Sequence, residues 1–273
     1  LKGFNSVNNK ISADKKVILL IFDEWDSKKY FNNDAIDKTI LDKISTINFK
    51  NVVPTGRDTI YSITAFLLGK DGTGDISFNR KKLNYRDKDK LTEIKKENTF
   101  FSLAGKEQAA IVGSGGFPYC TYIKIKYCID KSNELDKAKL KDLTSGLTTL
   151  KSFYNFFVHT YLFDNEALKS DKKTKIIIEK KIKQERNIFI NERYLNIGFE
   201  AIKDKSLSLV YLHLPFPHHP SFYAKSFFDK KNNFYNTDNE IINFNLTSYV
   251  IEKLFNIVNS KEMNQEILTI VTS

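Results

Sequence analysis

Hydrophobic residues recur along the chain as short unbroken runs separated by amphipathic stretches. Such runs are typical of strands that are buried on both faces of a parallel sheet. Four runs are predicted strands: VILLIF (17–22), AAIVG (109–113), LSLVYLHL (207–214) and ILTIVTS (267–273). Apolar residues also recur at helical spacing over 150–161 and 246–258. Strands that alternate with helices predict an α/β fold with a mainly parallel sheet.

The length of 273 residues, 41% of them hydrophobic, predicts a single domain over 1–273. The Lys-rich, mostly helical stretch 130–204 is interpreted as an insertion or cap between two strands. The longest apolar run, VILLIF, is too short to span a membrane. Because the chain begins with Leu1 and not with methionine, we expect membrane contact only through segments missing from it.

The net charge of +10 comes mostly from lysines that are interspersed with acids, as in 172–186. This pattern is typical of a solvated helix face. The chain shows no Arg-rich cluster, zinc-finger spacing or RNA-binding aromatic motif, so no nucleic-acid partner is predicted. One alternative remains open, a basic surface protein that binds anionic lipid or polysaccharide through its lysines.

The two cysteines, Cys120 and Cys128, lie close together in the sequence. They are predicted to form a disulfide if the domain is exported to an oxidising compartment. Two buried free thiols are the alternative.

Polar residues follow the predicted strands, where active sites of open α/β sheets lie. In FDEWD (22–26), Asp23 and Glu24 come directly after the first strand and could supply oxygen ligands to a divalent cation. The alternative is an acid that caps the next helix.

Histidines concentrate in HLPFPHHP (213–220), which holds three of the four in the chain. The prolines exclude a regular helix, and imidazole binds metals or anionic substrates. His218 and His219 are therefore candidate site residues, with a surface loop as the alternative. His213 lies within the strand pattern and is predicted to be a core residue.

The segment 52–70 has a polar turn followed by an apolar helix from Ile60 to Leu68. A hydroxyl at a helix N-terminus gains from the helix dipole, which favours a developing anion. A threonine there can act as a nucleophile when a metal lowers its pKa. The alternative is that Asp58 or Thr59 is an ordinary N-cap.

Taken in order, four segments resemble the alkaline-phosphatase-like superfamily, specifically its sulfatase-like and phosphoethanolamine-transferase-like branches. They are VILLIFDEWD (17–26), DTIYSITAFLLGK (58–70), SLAGKEQAAIVGSGGFPYC (102–120) and YLHLPFPHHPSFY (211–223). The resemblance runs from about residue 15 to the end, with a poor match over 130–204. It implies a three-layer α/β/α sandwich with a mainly parallel sheet.

The second segment resembles the nucleophile helix of the family. Counting back from Gly69 places Thr59 at the nucleophile position and Ser62 at the serine that follows it. Thr55 is the second choice of nucleophile. The Lys and His that sulfatases carry after the position of Gly113 are missing here, and Arg57 is expected to supply that positive charge instead.

The resemblance also implies a divalent metal, Zn²⁺ or else Mn²⁺, Mg²⁺ or Ca²⁺. The implied metal ligands are Asp23, Glu24, Thr59 and His218, and the implied substrate-binding residues are Arg57, Ser62, His218 and His219. The family carries an Asp-His metal pair after its last strand, and this chain stops at Ser273. The catalytic domain is therefore expected to be C-terminally incomplete.

These features together predict a metal-dependent hydrolase or transferase that acts on phosphate or sulfate esters, including those of lipids or polysaccharides. Its expected location is extracytoplasmic, at the periplasmic face of a membrane. A non-catalytic binding domain of the same fold is the alternative.

Overall fold

The computed structural model describes residues 10–12, 14–23, 26–34, 36, 38–39, 58–70, 75–78, 82–87, 90–105, 107–113, 117–130, 191–215 and 239–272. The strands are β1 Lys15–Phe22, β2 Asp75–Phe78, β3 Leu83–Asp87, β4 Lys90–Glu93, β5 Ala109–Gly113, β6 Tyr127–Asp130, β7 Leu209–Leu214 and β8 Glu266–Thr272. The helices are α1 Ser27–Asn32, α2 Thr59–Leu68, α3 Tyr119–Tyr122, α4 over 191–203 and α5 Asn239–Val258. The helical pattern predicted over 150–161 lies outside the described residues.

Five strands form the main sheet, in the order β6-β5-β7-β1-β8. Every neighbouring pair in it is parallel. All four predicted strands are confirmed, and every residue of β5 and β7 is buried. The fold is therefore α/β with a parallel sheet, as the continuous apolar runs predict.

The prediction that the last strand is buried on both faces is wrong. Strand β8 pairs only with β1 and forms the edge of the described sheet. Ile267 and Val271 pack against the core, but Leu268 and Ile270 are 57% and 41% exposed. A run of apolar residues can thus mark an edge strand as well as a central one.

Strand β6 at the opposite edge escaped prediction. Its sequence YCID is short and follows Lys124 and Lys126, so it shows no apolar run. Pairing with β5 puts Ile111 beside Cys128 and Gly113 beside Asp130. Tertiary pairing, and not local hydrophobicity, therefore defines this strand.

Both faces of the main sheet carry helices, because alternate residues of each strand point to opposite faces. On one face, Ile18, Leu20 and Phe22 of β1 pack in a cluster with residues of α4 and α5. On the other, Leu19 and Ile21 pack in a cluster with residues of α2. Helix α4 belongs to the stretch 130–204 interpreted as an insertion, and it contributes core residues. Residues 131–190 of that stretch lie outside the described residues.

A second sheet, antiparallel and of three strands, has the order β2-β3-β4. Its buried residues Leu83 and Tyr85 belong to the same cluster as those of α2. The sequence analysis missed it because its strands are only four or five residues long and hold few apolar residues.

Among the helices that the structure describes, none combines the length and apolar character needed to span a bilayer. The absence applies to the described residues alone.

A buried lysine on β1 supports the end of helix α4. The Lys16 ammonium donates to the carbonyl oxygens of Ile202 at 2.6 Å and Asp204 at 2.8 Å. Both acceptors lie at the C-terminus of α4, where carbonyls lack helical partners and the helix dipole favours a cation. Burial lowers the pKa of Lys16 to about 8, while the charge of Asp204 opposes that shift.

We expect Lys16→Met to lower the free energy of unfolding by about 1–3 kcal/mol, because two carbonyls lose their donor inside the protein. Urea denaturation measures the change. Lys15→Met is the matched control, since Lys15 is exposed and its contact with Glu266 at 3.1 Å is on the surface. An unchanged or increased stability of the Lys16 variant would mean that the cost of burying the charge outweighs its hydrogen bonds.

A second test compares the pH dependence of stability in the wild type and in Lys16→Met. Between pH 8 and 10.5 the unfolded chain holds the Lys16 proton more tightly than the folded protein does. The contribution of Lys16 to the free energy of unfolding therefore rises with pH through this window, and the change measured by urea denaturation should be less favourable in Lys16→Met than in the wild type.

Candidate active site at the carboxyl end of the parallel sheet

The carboxyl ends of β1, β5 and β7 meet at one edge of the main sheet. Asp23 follows β1 directly, and its backbone N–H donates to the carbonyl of Leu214 at 2.9 Å. The pairing of β1 with β7 thus continues one residue past the strand. This holds Asp23, which is half-buried, at the carboxyl edge where α/β sheets build their sites.

Beside Asp23 lies a buried polar cluster of three side chains, Tyr119, Tyr211 and His213, here named the tyrosine–histidine cluster. The Tyr119 hydroxyl lies 2.8 Å from the Tyr211 hydroxyl and 2.7 Å from His213 Nδ1. Each of the three side chains is at most 1% exposed. His213 is two residues after Tyr211 on β7, so both project from the sheet face that α2 covers.

Close packing and a disulfide place Tyr119 in the cluster. A Cβ atom at Gly113 would come within 2.7 Å of the Tyr119 ring, so the glycine lets the ring lie directly on β5. The next residue, Cys120, is bonded to Cys128 of β6 with their Cα atoms 5.5 Å apart. This confirms the predicted disulfide.

A buried carboxylate adds a second link between the same two elements. Asp130, at the end of β6, accepts a hydrogen bond from the Cys120 backbone N–H at 2.7 Å. This bond ties the end of β6 to the backbone of α3. The short helix α3, which has no side-chain N-cap, depends on this bond and on the disulfide for its position.

Burial fixes the protonation of the cluster at neutral pH. It raises the pKa of both Tyr119 and Tyr211, and the negative charge of Asp23 raises each further. Burial lowers the pKa of His213 to about 4. The phenols therefore keep their protons, and the imidazole is neutral.

We expect acid to destabilise the protein through His213. The unfolded imidazole takes up a proton near pH 6.5, whereas the folded one does so only near pH 4. Stability therefore falls as pH drops through this interval, by on the order of 2 kcal/mol between pH 7 and 5. Urea denaturation at both pH values measures the loss, and His213→Gln should show a smaller one. An equal loss in the variant would show that groups other than His213 cause the pH dependence.

Helix α2 begins at the predicted nucleophile. Asp58 is its N-cap, and the carboxylate accepts from the Tyr61 backbone N–H at 3.1 Å. The helix ends at Gly69, which has a left-handed backbone with φ of 62°. The cap is therefore Asp58 and not Thr59, which leaves Thr59 as an exposed hydroxyl in the first turn, with Ser62 half-buried three residues on.

The acids after β1 divide into two roles. Asp26 is the N-cap of α1 and accepts from the backbone N–H groups of Lys28 and Lys29. The capping alternative thus holds for Asp26. Asp23 lies before that helix and stays the candidate ligand at the sheet edge.

The other predicted site residues, Glu24, Thr55, Arg57, His218 and His219, lie outside the described residues. Within the described ranges, no three His, Cys, Asp or Glu side chains form a group that could hold a metal ion. Asp23 and Thr59 are the members of the predicted ligand set that the structure describes. Carboxylate and hydroxyl oxygens suit divalent cations, so this part of the donor set fits the predicted metal.

Sequence reasoning missed Tyr119 and Tyr211. The polar residues Tyr211 and His213, spaced by two within an otherwise apolar strand, are a signal that could have indicated a polar cluster on one face. No sequence pattern indicates Tyr119, because the disulfide and the strand order bring it into the tyrosine–histidine cluster.

A shallow cavity of about 350 Å³ lies at the amino ends of the strands. Asp23 and the tyrosine–histidine cluster lie toward the opposite, carboxyl ends. Lys126 and Lys205 line it, but Glu107 pairs with Lys126 at 3.1 Å. One of its two lysines is therefore already paired with an acid.

No protein-family model matches the chain, and no curated protein or solved structure does.

Proposed function

We propose that this protein is a metal-dependent hydrolase or transferase of alkaline-phosphatase-like, three-layer fold, acting on phosphate or sulfate esters. The observation that carries the proposal is the placement of Asp23. It follows the second strand from the edge of an all-parallel sheet, beside a buried polar cluster on the face that α2 covers. Thr59 begins that same helix.

Asp23 and Thr59, with Glu24 and His218, are the residues that would hold the cation, for which zinc is the first choice. When bound, a divalent cation would lower the pKa of the Thr59 hydroxyl and neutralise charge on the transferring group. The exposure of Thr59 in the first turn of α2 leaves its oxygen accessible and within the favourable field of the helix N-terminus.

In the proposed reaction, the Thr59 hydroxyl loses its proton and its oxygen forms a bond to phosphorus or sulfur, while the bond to the ester oxygen breaks and that oxygen leaves as an alcohol after taking up a proton. Water or an acceptor alcohol then loses a proton and displaces the Thr59 oxygen, which takes up a proton again, and the result is hydrolysis or transfer. Arg57, Ser62, His218 and His219 orient the anionic group. The Cys120–Cys128 disulfide supports an extracytoplasmic location, because such bonds persist in oxidising compartments.

Metal removal tests the proposal. In the protein as its gene encodes it, a chelator should abolish turnover of an aryl phosphate or aryl sulfate, and added Zn²⁺ should restore it. Asp23→Asn should bind substoichiometric metal. Asp26→Asn is the matched control, because asparagine also caps helices well and Asp26 already serves that role.

The outcomes separate the alternatives. Stoichiometric metal without turnover would favour a non-catalytic binding domain. Retention on anionic lipid vesicles that falls steeply with salt, with neither metal nor turnover, would favour a basic surface protein.

A further inference from the structure

The hydroxyl protons of the tyrosine–histidine cluster can be assigned by counting donors and acceptors. Each phenol has one proton to donate, and neutral imidazole has one protonated nitrogen and one acceptor nitrogen. Tyr119 is central, since its hydroxyl contacts both Tyr211 and His213 Nδ1. In the described part of the chain, Tyr119 is the one hydrogen-bond partner of the Tyr211 hydroxyl.

Two chains of donation are possible, and in a third arrangement both neighbours donate to Tyr119, whose own proton then has no acceptor among the described residues. If His213 donates from Nδ1 to Tyr119, then Tyr119 donates to Tyr211, and the Tyr211 proton has no acceptor among the described residues. If Tyr211 donates to Tyr119, then Tyr119 donates to Nδ1 of His213, and each hydroxyl proton is bonded. A buried polar hydrogen without an acceptor costs about 1–3 kcal/mol, so the second direction is favoured.

We propose that Tyr119 is a positioning residue that donates to Nδ1 of His213 and thereby fixes the imidazole with its proton on Nε2. The hydrogen bond at one ring nitrogen determines which nitrogen carries the proton. An Nε2–H group donates and does not accept. His213 is then a neutral hydrogen-bond donor at the carboxyl end of the sheet and cannot ligate a metal through Nε2.

The packing around Tyr119 restricts the hydroxyl to this role. Gly113 lies beneath the ring, and the bonds of Cys120 to Cys128 and Asp130 hold the backbone that follows. The ring also packs edge-on against Tyr211 and His213, with centroids 5.2 Å and 5.8 Å away. The ring therefore stays in place when the hydroxyl is removed, which makes Tyr119→Phe a clean probe.

Nitrogen NMR of protein labelled with ¹⁵N-histidine tests the proposal without any assay of activity. His213 is identified by the signals that His213→Gln removes. In the wild type, we expect Nε2 protonated and Nδ1 bare. Tyr211→Phe should keep this tautomer, because Tyr119 still donates, whereas Tyr119→Phe should give a mixture of both tautomers. A proton on Nδ1 in the wild type, or an unchanged tautomer in Tyr119→Phe, would overturn the proposal.

The tautomer of His213 does not depend on the proposed function, so the two can fail separately. A wild type with bound metal and no turnover of aryl phosphate or sulfate would instead refute the proposed function, and the NMR comparison decides the tautomer in that case too.

Discussion

Replacing Thr59 with alanine is expected to reduce turnover by roughly a thousandfold or more, because the proposed reaction loses its nucleophile. Steady-state turnover of an aryl phosphate or sulfate, with bound metal measured in parallel, gives the result. The fold should be unaffected. Thr59 is exposed at the first position of α2, the helix keeps its Asp58 cap, and alanine is a better helix former than threonine.

Two neighbouring hydroxyls are the matched controls for this variant. Ser62→Ala removes a half-buried hydroxyl one turn along the same helix and should reduce activity far less. Thr55→Ala tests the second choice of nucleophile. Near-normal activity in Thr59→Ala together with loss of activity in Thr55→Ala would show that the nucleophile lies four residues earlier than the count back from Gly69 predicts.

The main sheet was predictable because its central strands are buried on both faces. Burial of both faces removes polar residues from both sets of alternate positions, so β5 and β7 read as unbroken apolar runs. The same reasoning fails at the edges. Strand β6 lacks such a run, and β8 has one although Leu268 and Ile270 are exposed. Local hydrophobicity thus identifies strands but does not determine their order.

The positions of two candidate site residues in the fold were predictable. Asp23 follows a strand, and Thr59 begins a helix, and each position can be recognised from its immediate neighbours. The tyrosine–histidine cluster could not be found in this way. Tyr119 and Tyr211 are 92 residues apart, and each resembles an ordinary core aromatic. Their meeting depends on strand order, on the glycine at 113 and on the disulfide.

Removal of the disulfide is expected to cost about 2.5 kcal/mol of unfolding free energy. The bond joins residues eight apart in sequence, and closing a loop of this length in the unfolded chain accounts for that amount in the chain-entropy description. The double variant Cys120→Ser/Cys128→Ser, compared with the oxidised wild type by urea denaturation, measures it. Reduced wild type should match the double variant, and adding reductant to the double variant should change nothing.

The loss should also extend to the cluster. Without the bond, the four-residue helix α3 keeps the hydrogen bond from Cys120 to Asp130 as its main tie to β6. Tyr119, which precedes Cys120, then loses part of its constraint on β5. We therefore expect the ¹⁵N signals of His213 to broaden or shift in the double variant. A variant as stable as the oxidised wild type, with unchanged His213 signals, would show that packing on Gly113 and the hydrogen bond from Cys120 to Asp130 position Tyr119 without the disulfide.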